Sequence, residues 1–282
     1  MTMPLLPVYV NGEIVPADQA RISVFDRGFM RGDGVFETMR AYGGQVFRLQ
    51  DHLARLDHGL KALRFPARSA DLNLEAAIEA TIKASGLTSA RLRVEVTRGV
   101  GTTEFTGQTG ASPTVVVAVQ PIADTPVAPL NVIVSTIRRD ENSPLAEIKT
   151  INYVPSILAR IEAEAAGADD AIMLNYAGFV AEGCASNVFL VHSGMLFTPD
   201  LASGVLPGIT RRVVLEIASD LDIPAREKLI SPGLLESADE IFLASSTREI
   251  VPVATLDGKQ VGAGKYDTAE RLLQEYRKRA HR

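Results

Sequence analysis

Residues Ala146 to Gly167 read AEIKTINYVPSILARIEAEAAG, and the second half of this stretch carries the pattern of an amphipathic helix. Pro155 suits the first turn, Ile157, Leu158 and Ile161 recur on one face, and Gly167 can end the helix. Upstream, Asn131 to Ile137 (NVIVSTI) reads as a strand followed by a polar loop. Lys149 belongs to neither element. It stands in the loop, beside Asn152 and Tyr153, as a single cation outside any solvated charge run.

The composition narrows what such a lysine can serve. With 282 residues, 46% of them hydrophobic, the chain can bury one large core or two smaller ones, and above roughly 250 residues two are expected. The net charge of -5 leaves no basic surplus, and no Lys/Arg cluster is interleaved with aromatics, so nucleic acid is not an expected partner. Cys184 is the one cysteine and has no internal disulfide partner. The opening MTMPLLPVYVNG has neither a basic segment nor a long apolar one, and no apolar run approaches the ~20 residues of a spanning helix. A cytoplasmic location without membrane contact is therefore expected.

Working outward from the lysine, the chain divides into two textures. VYVNGEIV reads as a hairpin turning on Asn11-Gly12, and VFETMRAYGGQVFRL as another turning on Gly43-Gly44. DHLARLDHGLKALRF has leucines 53, 56, 60 and 63 at helical spacing behind Asp51 as an N-cap. DLNLEAAIEATIKASG is a second helix ending at Gly86, and the strands RLRVEVT and PTVVVAVQ follow. PIADTPVAP, with three prolines in nine residues, is the expected linker. The expected organisation is a small α+β domain over 1–120, a linker over 121–129 and a larger domain over 130–282. In the latter, DDAIMLNYAGFVAEG, NVFLV, MLFTP and ADEIFLASS supply strands, GITRRVVLEIASDL a helix, and YDTAERLLQEYRKRAHR a charged terminal helix. The fold class is mixed, α+β or α/β.

Common chemical signatures are missing. His52, His58, His192 and His281 are scattered away from any metal-ligand spacing, so no metal site is expected. There is no Walker A loop, no strand-anchored GxGxxG and no GxSxG elbow; RGDGVF reads as a glycine-containing lead-in to a strand. Cys184 reads as a small core residue. What remains is the lysine, whose amine condenses with an aldehyde when its site keeps part of it unprotonated.

The segments VYVNGEIVPADQARISVFDRGFMRGDGVFETMRAY, HLARL, IKTINY, GFVAEGCASNVFLV, GVLPGITR and SADEIFLASSTREIVPV together resemble the class IV aminotransferases, the fold-type IV pyridoxal 5'-phosphate (PLP) enzymes. These include branched-chain and D-amino acid aminotransferases, R-selective amine transaminases and aminodeoxychorismate lyase. The resemblance covers most of the chain in the family's order and spacing. It implies a two-domain fold-type IV enzyme with a strand-rich larger domain, PLP as cofactor, and a homodimer in which the partner's small domain completes each site.

Carried over position by position, the resemblance makes Lys149 the lysine that holds PLP as an internal aldimine and later shuttles the proton. Glu182, in AEGCASN, corresponds to the carboxylate that pairs with the pyridine nitrogen and keeps the ring cationic. Tyr153 corresponds to the tyrosine at the cofactor's phenolic oxygen. Arg55 matches the phosphate arginine, and Ile209 and Thr210 the helix start that meets the same anion. Ser246 matches a further hydroxyl ligand and Leu206 the side chain packed on the ring. Without the resemblance, Arg55 would read as solvated and Thr210 as a cap.

The substrate pocket departs from each subgroup. FETMR, Phe36 to Arg40, stands where branched-chain enzymes read FEGxR, so Thr38 replaces a glycine beside the substrate. D-amino acid enzymes carry a tyrosine at the place of Phe29 and an Arg-x-His trap near GTTEF, and this chain has neither. Strand alternation puts Phe36, Thr38, Arg40 and Tyr42 on one face and Val35, Glu37 and Met39 on the other. The first face is the expected substrate wall, with Phe36, Thr38, Arg40 and Thr247 as substrate contacts. The expected activity is amino transfer between an amino acid or amine and a 2-oxo acid. The alternatives are an aminodeoxychorismate lyase giving p-aminobenzoate, for which FET and VTRGVG speak, a cofactor-free dimeric scaffold, and a nicotinamide oxidoreductase.

Overall fold

The computed structural model describes residues 6–101, 112–125 and 127–281. These divide into two compact units, one formed by Met1–Asp124 with Ile148–Asn152, the other by Thr125–Glu147 with Tyr153–Arg282. The contiguous division expected from the prolines differs from this at one segment, the one that carries Lys149.

The first unit contains β1 (Pro7–Val10), β2 (Glu13–Pro16), α1 (Arg27–Arg31), β3 (Gly34–Tyr42), β4 (Gln45–Val46), α2 (Leu49–Ala62), α3 (Leu74–Ser85), β5 (Ala90–Thr97) and β6 (Thr114–Pro121). Its strands form one antiparallel sheet in the order β2-β1-β6-β5-β3-β4. Both expected hairpin turns are present, with Asn11, Gly12, Gly43 and Gly44 all at positive φ, the conformation that two-residue turns demand. One sheet face is apolar (Val35, Met39, Leu92, Val94, Val96, Val117) and fully buried. Buried Leu53, Leu56 and Leu60 of α2, and Leu74, Ile78 and Ile82 of α3, supply the matching helix faces. Asp51 is not the N-cap of α2: that position falls to Arg48, in a left-handed conformation, and Asp51 lies inside the first turn paired with Arg48 at 3.3 Å. The carboxylate still meets the positive end of the helix, one turn deeper than the leucine spacing implied. The short helix α1 was not legible in RGFMR.

The second unit contains β7 (Leu130–Arg139), α4 (Val154–Ala165), β8 (Asp170–Asn175), β9 (Val180–Gly183), β10 (Asn187–His192), β11 (Met195–Pro199), α5 (Ile209–Asp220), β12 (Ala225–Lys228), α6 (Pro232–Glu236), β13 (Glu240–Ser245), β14 (Glu249–Leu256), β15 (Lys259–Gln260) and α7 (Asp267–Ala280). The strand order β12-β11-β10-β13-β14-β7-β8-β9 is joined by a further β9–β10 pairing, Glu182 opposite Asn187, so six of these strands close into a ring. Buried Val132, Ile172, Val180, Val188, Leu190, Leu243 and Val253 belong to its apolar core.

Helix α4 departs from its expected orientation. Ile157, Leu158 and Ile161 are each about half exposed, whereas Ser156, Ala159 and Ala163 are buried. Small residues let the helix lie close against β7 and β8, and that contact, rather than the larger aliphatic stripe, sets its rotation.

Candidate active site

In the first unit, the Lys149 segment runs antiparallel beside the start of β3. The Phe36 N–H donates to the Lys149 carbonyl at 2.9 Å and the Ile151 N–H to the Gly34 carbonyl at 3.1 Å, around a Val35–Thr150 bridge. Gly34 permits this approach, because a Cβ there would stand 2.7 Å from the Val96 carbonyl oxygen and 3.1 Å from Ile151. Asn152 Nδ2 donates to the Gly32 carbonyl at 2.8 Å and pins the far end. A loop lysine thus receives strand-like backbone support, and its Nζ lies 4.3 Å from the centroid of the Phe36 ring.

The face that carries Phe36 also carries half-buried Thr38, with Arg93 directly across from it on β5. The Arg93 guanidinium covers the same Phe36 ring at 4.0 Å and is paired with Glu95 at 2.6 Å. Arg40, on this face by alternation, pairs with Asp124 at 2.5 Å and lies over Tyr42. The structure therefore brings Lys149, Phe36 and Thr38 to one region of the first unit, with Arg40 turned to Asp124.

Glu37 faces the opposite way, toward α2. Its two oxygens accept from Arg55 Nε and Nη2, both at 2.7 Å, and the oxygen shared with Nη2 also lies 2.7 Å from His52 Nδ1. Glu37 and His52 are buried, and the Arg55 side chain is 9% exposed. Burial is the largest effect on the Glu37 carboxyl and pushes it up; the Arg55 charge, the Arg55 hydrogen bonds and His52 together outweigh it and hold the group at about 2. His52 is pushed down from its usual range, first by burial, against the pull of Glu37, with the Arg55 and Lys149 charges adding to the downward effect. The cluster is an ionised Glu37–Arg55 pair with a neutral imidazole. Arg55, which would read as solvated without the resemblance, is largely shielded from solvent and bidentate.

In the second unit, Tyr153 immediately precedes α4, whose first turn contains Pro155 as expected. Glu182, on β9, accepts at one oxygen from the Leu206 N–H at 2.9 Å and meets Arg139 Nε at the other, at 3.1 Å. Arg139 also donates to the carbonyls of Ala146 and Gly204, tying three segments around this carboxylate. Asn187 Nδ2 donates to the Leu206 carbonyl at 2.9 Å, and its Oδ1 leaves no room beside Gly208: a Cβ there would lie 1.9 Å away.

Helix α5 begins at Ile209 behind Gly208, which provides no side-chain cap. Ile209 and Thr210 are buried in its first turn, and the Thr210 Oγ1 is buried with no hydrogen-bond partner. A buried orphan hydroxyl beside the first amides of a 12-residue helix matches what an anionic group such as a phosphate satisfies. Ser246 and Thr247 lie half-buried in the turn between β13 and β14. That turn is held through Arg248, which pairs with buried Asp170 at 3.0 Å; Asp170 also takes Arg160 of α4 at 2.8 Å. Cys184 is buried, its thiol pushed up to about 12, first by burial and then by the nearby Asp170 charge, which removes it as a nucleophile. Among the described residues no His/Cys/Asp/Glu cluster could hold a metal ion. GTTEF, the place of the D-amino acid carboxylate trap, lies outside the described residues from Thr102 onward.

Residues 34–256 match the family described as Amino-transferase class IV. The chain belongs to the class IV aminotransferases. It is 33% identical over 279 residues to the Escherichia coli K12 branched-chain-amino-acid aminotransferase, covering 95% of this chain and 90% of that one. To the D-alanine aminotransferase of Staphylococcus haemolyticus it is 31% identical over 269 residues, 95% of each. Its fold superposes with a TM-score of 0.92 on the branched-chain amino acid aminotransferase of T.th. complexed with N-(5'-phosphopyridoxyl)-L-glutamate, at 31% identity over 99% of this chain and 95% of that one. This class IV aminotransferase is a PLP-dependent enzyme of the fold-type IV class. Sequence reasoning missed Glu37, His52, Arg93, Glu95, Arg139 and Asn187 as neighbours of the candidate site residues. For the first two a signal existed: Glu37 on the core side of a strand, and two polar residues three apart on the leucine face of a helix, must find one another.

Proposed function

We propose that Lys149 holds the cofactor's carbonyl carbon and serves as the base of the reaction. Arg55, the Ile209 and Thr210 helix start and Ser246 take the phosphate, Leu206 packs on the ring, Tyr153 meets the phenolic oxygen, and Glu182 partners the ring nitrogen. Phe36, Thr38, Arg40 and Thr247 are proposed as substrate contacts. The observation that carries this reading is the Lys149 Nζ set over Phe36 on a segment stitched to β3; the unpartnered Thr210 hydroxyl supports the phosphate assignment.

When bound, PLP supplies an aldehyde that captures the amino group and a ring that withdraws electrons from the substrate Cα. The residues provide the rest. Lys149 removes the proton at the substrate Cα and returns one at the cofactor's carbonyl carbon, one flexible amine serving both atoms. Glu182, held between the Leu206 amide and Arg139, keeps a proton on the ring nitrogen. The Phe36 ring under the amine restricts water on that side.

The reaction we propose is amino transfer from an amino acid to a 2-oxo acid, with branched-chain L-amino acids as the first donors to test and D-alanine as the second, following the two kinds of relative. We also propose a homodimer. The exposed apolar stripe of α4, Val154, Ile157, Leu158 and Ile161, is its candidate contact. No helix among the described residues is long and apolar enough to cross a membrane.

The test is a half-reaction. Enzyme loaded with PLP, mixed with L-leucine, L-isoleucine, D-alanine or R-1-phenylethylamine and no acceptor, should lose its yellow colour as the amino group stays behind. Persistent colour with all four, and acceptor-independent pyruvate release from aminodeoxychorismate, would replace this reading by the lyase.

A further inference from the structure

Glu37 is a buried carboxylate that the proposed reaction does not use, on the face of β3 turned away from Phe36 and Thr38. A buried ion pair is a costly way to pack a strand against a helix, since apolar residues of similar size do so as well or better. The geometry here is more particular than neutralisation requires. Both Glu37 oxygens engage one edge of the Arg55 guanidinium, at Nε and Nη2, and His52 engages the second oxygen from one helical turn away. A carboxylate held at three points cannot rotate, and a planar guanidinium bound along one edge cannot rotate against it. The orientation of its remaining edge is therefore set on folding, before any ligand arrives.

We propose that Glu37 is a positioning residue for cofactor binding, fixing Arg55 in the orientation that receives the phosphate, with His52 holding the carboxylate in turn. This rests on the reading that Arg55 meets the phosphate. An unanchored arginine would lose its rotamer freedom on binding; one already clamped has lost it on folding, so more of the phosphate interaction is expressed as affinity. The clamp carries an opposing electrostatic effect, because a carboxylate beside the guanidinium lowers the positive potential that a phosphate sees. The two effects make opposite predictions. If Glu37 merely neutralises Arg55, removing its charge tightens phosphate binding; if it positions Arg55, removing it loosens binding.

The experiment compares dissociation constants of the apoenzyme for PLP and for phosphate-free pyridoxal, read from the visible colour on titration. It uses wild type, Glu37→Gln, Arg55→Gln and the double variant. Glu37→Gln should weaken PLP by about 10- to 100-fold, the range of a charge-assisted hydrogen bond, and leave pyridoxal unchanged. The double variant should bind PLP no more weakly than Arg55→Gln alone, because the effect of Glu37 passes through Arg55. Unchanged or tighter PLP binding in Glu37→Gln, equal losses for both ligands, or additive losses in the double variant would overturn the proposal. If Arg55→Gln itself binds PLP as wild type does, the phosphate reading of Arg55 fails and the inference with it. Should Glu37→Gln not fold, His52→Leu removes the outer clamp and keeps the ion pair: a several-fold loss confined to PLP supports the proposal, and no loss overturns it.

Discussion

Acid should destabilise the fold through Glu37 in a defined pH window. The perturbation is Glu37→Gln in a His52→Gln background, where a glutamine amide can still donate to the carboxylate while the imidazole titration is removed. The Glu37 carboxyl is lowered from 4.5 to about 2 by Arg55 and His52 acting against burial. At roughly 1.4 kcal/mol per pH unit, this amounts to about 3 kcal/mol of folding stability at neutral pH. The sign follows from the direction: a carboxyl whose folded pKa is depressed stabilises fully above its unfolded value and loses that contribution as pH falls toward the folded one. The stability gap between the two proteins should be flat from pH 7 to about 5 and then shrink, by about 2 kcal/mol on reaching pH 3. Urea unfolding of the apoproteins, followed by far-UV circular dichroism at several pH values, measures the gap. A gap that is independent of pH, or that widens in acid, would refute the reasoning, since it would mean that folding leaves the Glu37 pKa unchanged or raises it. With His52 restored, a second acid-sensitive contribution appears from pH 6.5 downward, because a histidine lowered by burial resists a proton that the unfolded chain accepts.

Lys149→Ala should fold but form no coloured complex with PLP, with turnover reduced by orders of magnitude; peptide mapping after borohydride reduction of the wild-type complex should place the label on residue 149 and not on Lys61 or Lys83. Glu182→Gln removes the charge between Leu206 and Arg139 while keeping the shape, so kcat should fall far more than PLP affinity, and equal losses would make Glu182 structural. Gly208→Ala drives a methyl group against Asn187 Oδ1; titration should show PLP binding weakened about 10-fold or more as the Leu206 anchor and the helix start are displaced. Ile157→Asp on the exposed stripe of α4 should convert a dimer to monomer in sedimentation at micromolar concentration, and an unchanged sedimentation coefficient would move the interface elsewhere.

Much of this protein was legible in its sequence because the deciding chemistry is local. Asn11-Gly12 and Gly43-Gly44 specify tight hairpins, Gly86 ends α3, and PGIT starts α5, each through the conformation of one or two adjacent residues. The family, and with it PLP, was likewise legible in short motifs in a fixed order. The tertiary structure decided what depends on residues far apart in the chain. The sequence left Lys149 in a loop of the larger domain, whereas backbone pairing to β3 groups its segment with the first unit. The aliphatic stripe of α4 looked like a buried face, and close packing of Ala159 and Ala163 turned it outward. Glu37 looked like one polar residue in an alternating strand, and only the register of β3 against α2 gives it Arg55 and His52 as partners. Turn and helix-end preferences are properties of a few neighbouring dihedrals, while helix rotation and ion-pair choice follow from which surfaces approach most closely, and that is fixed only when the whole sheet has formed.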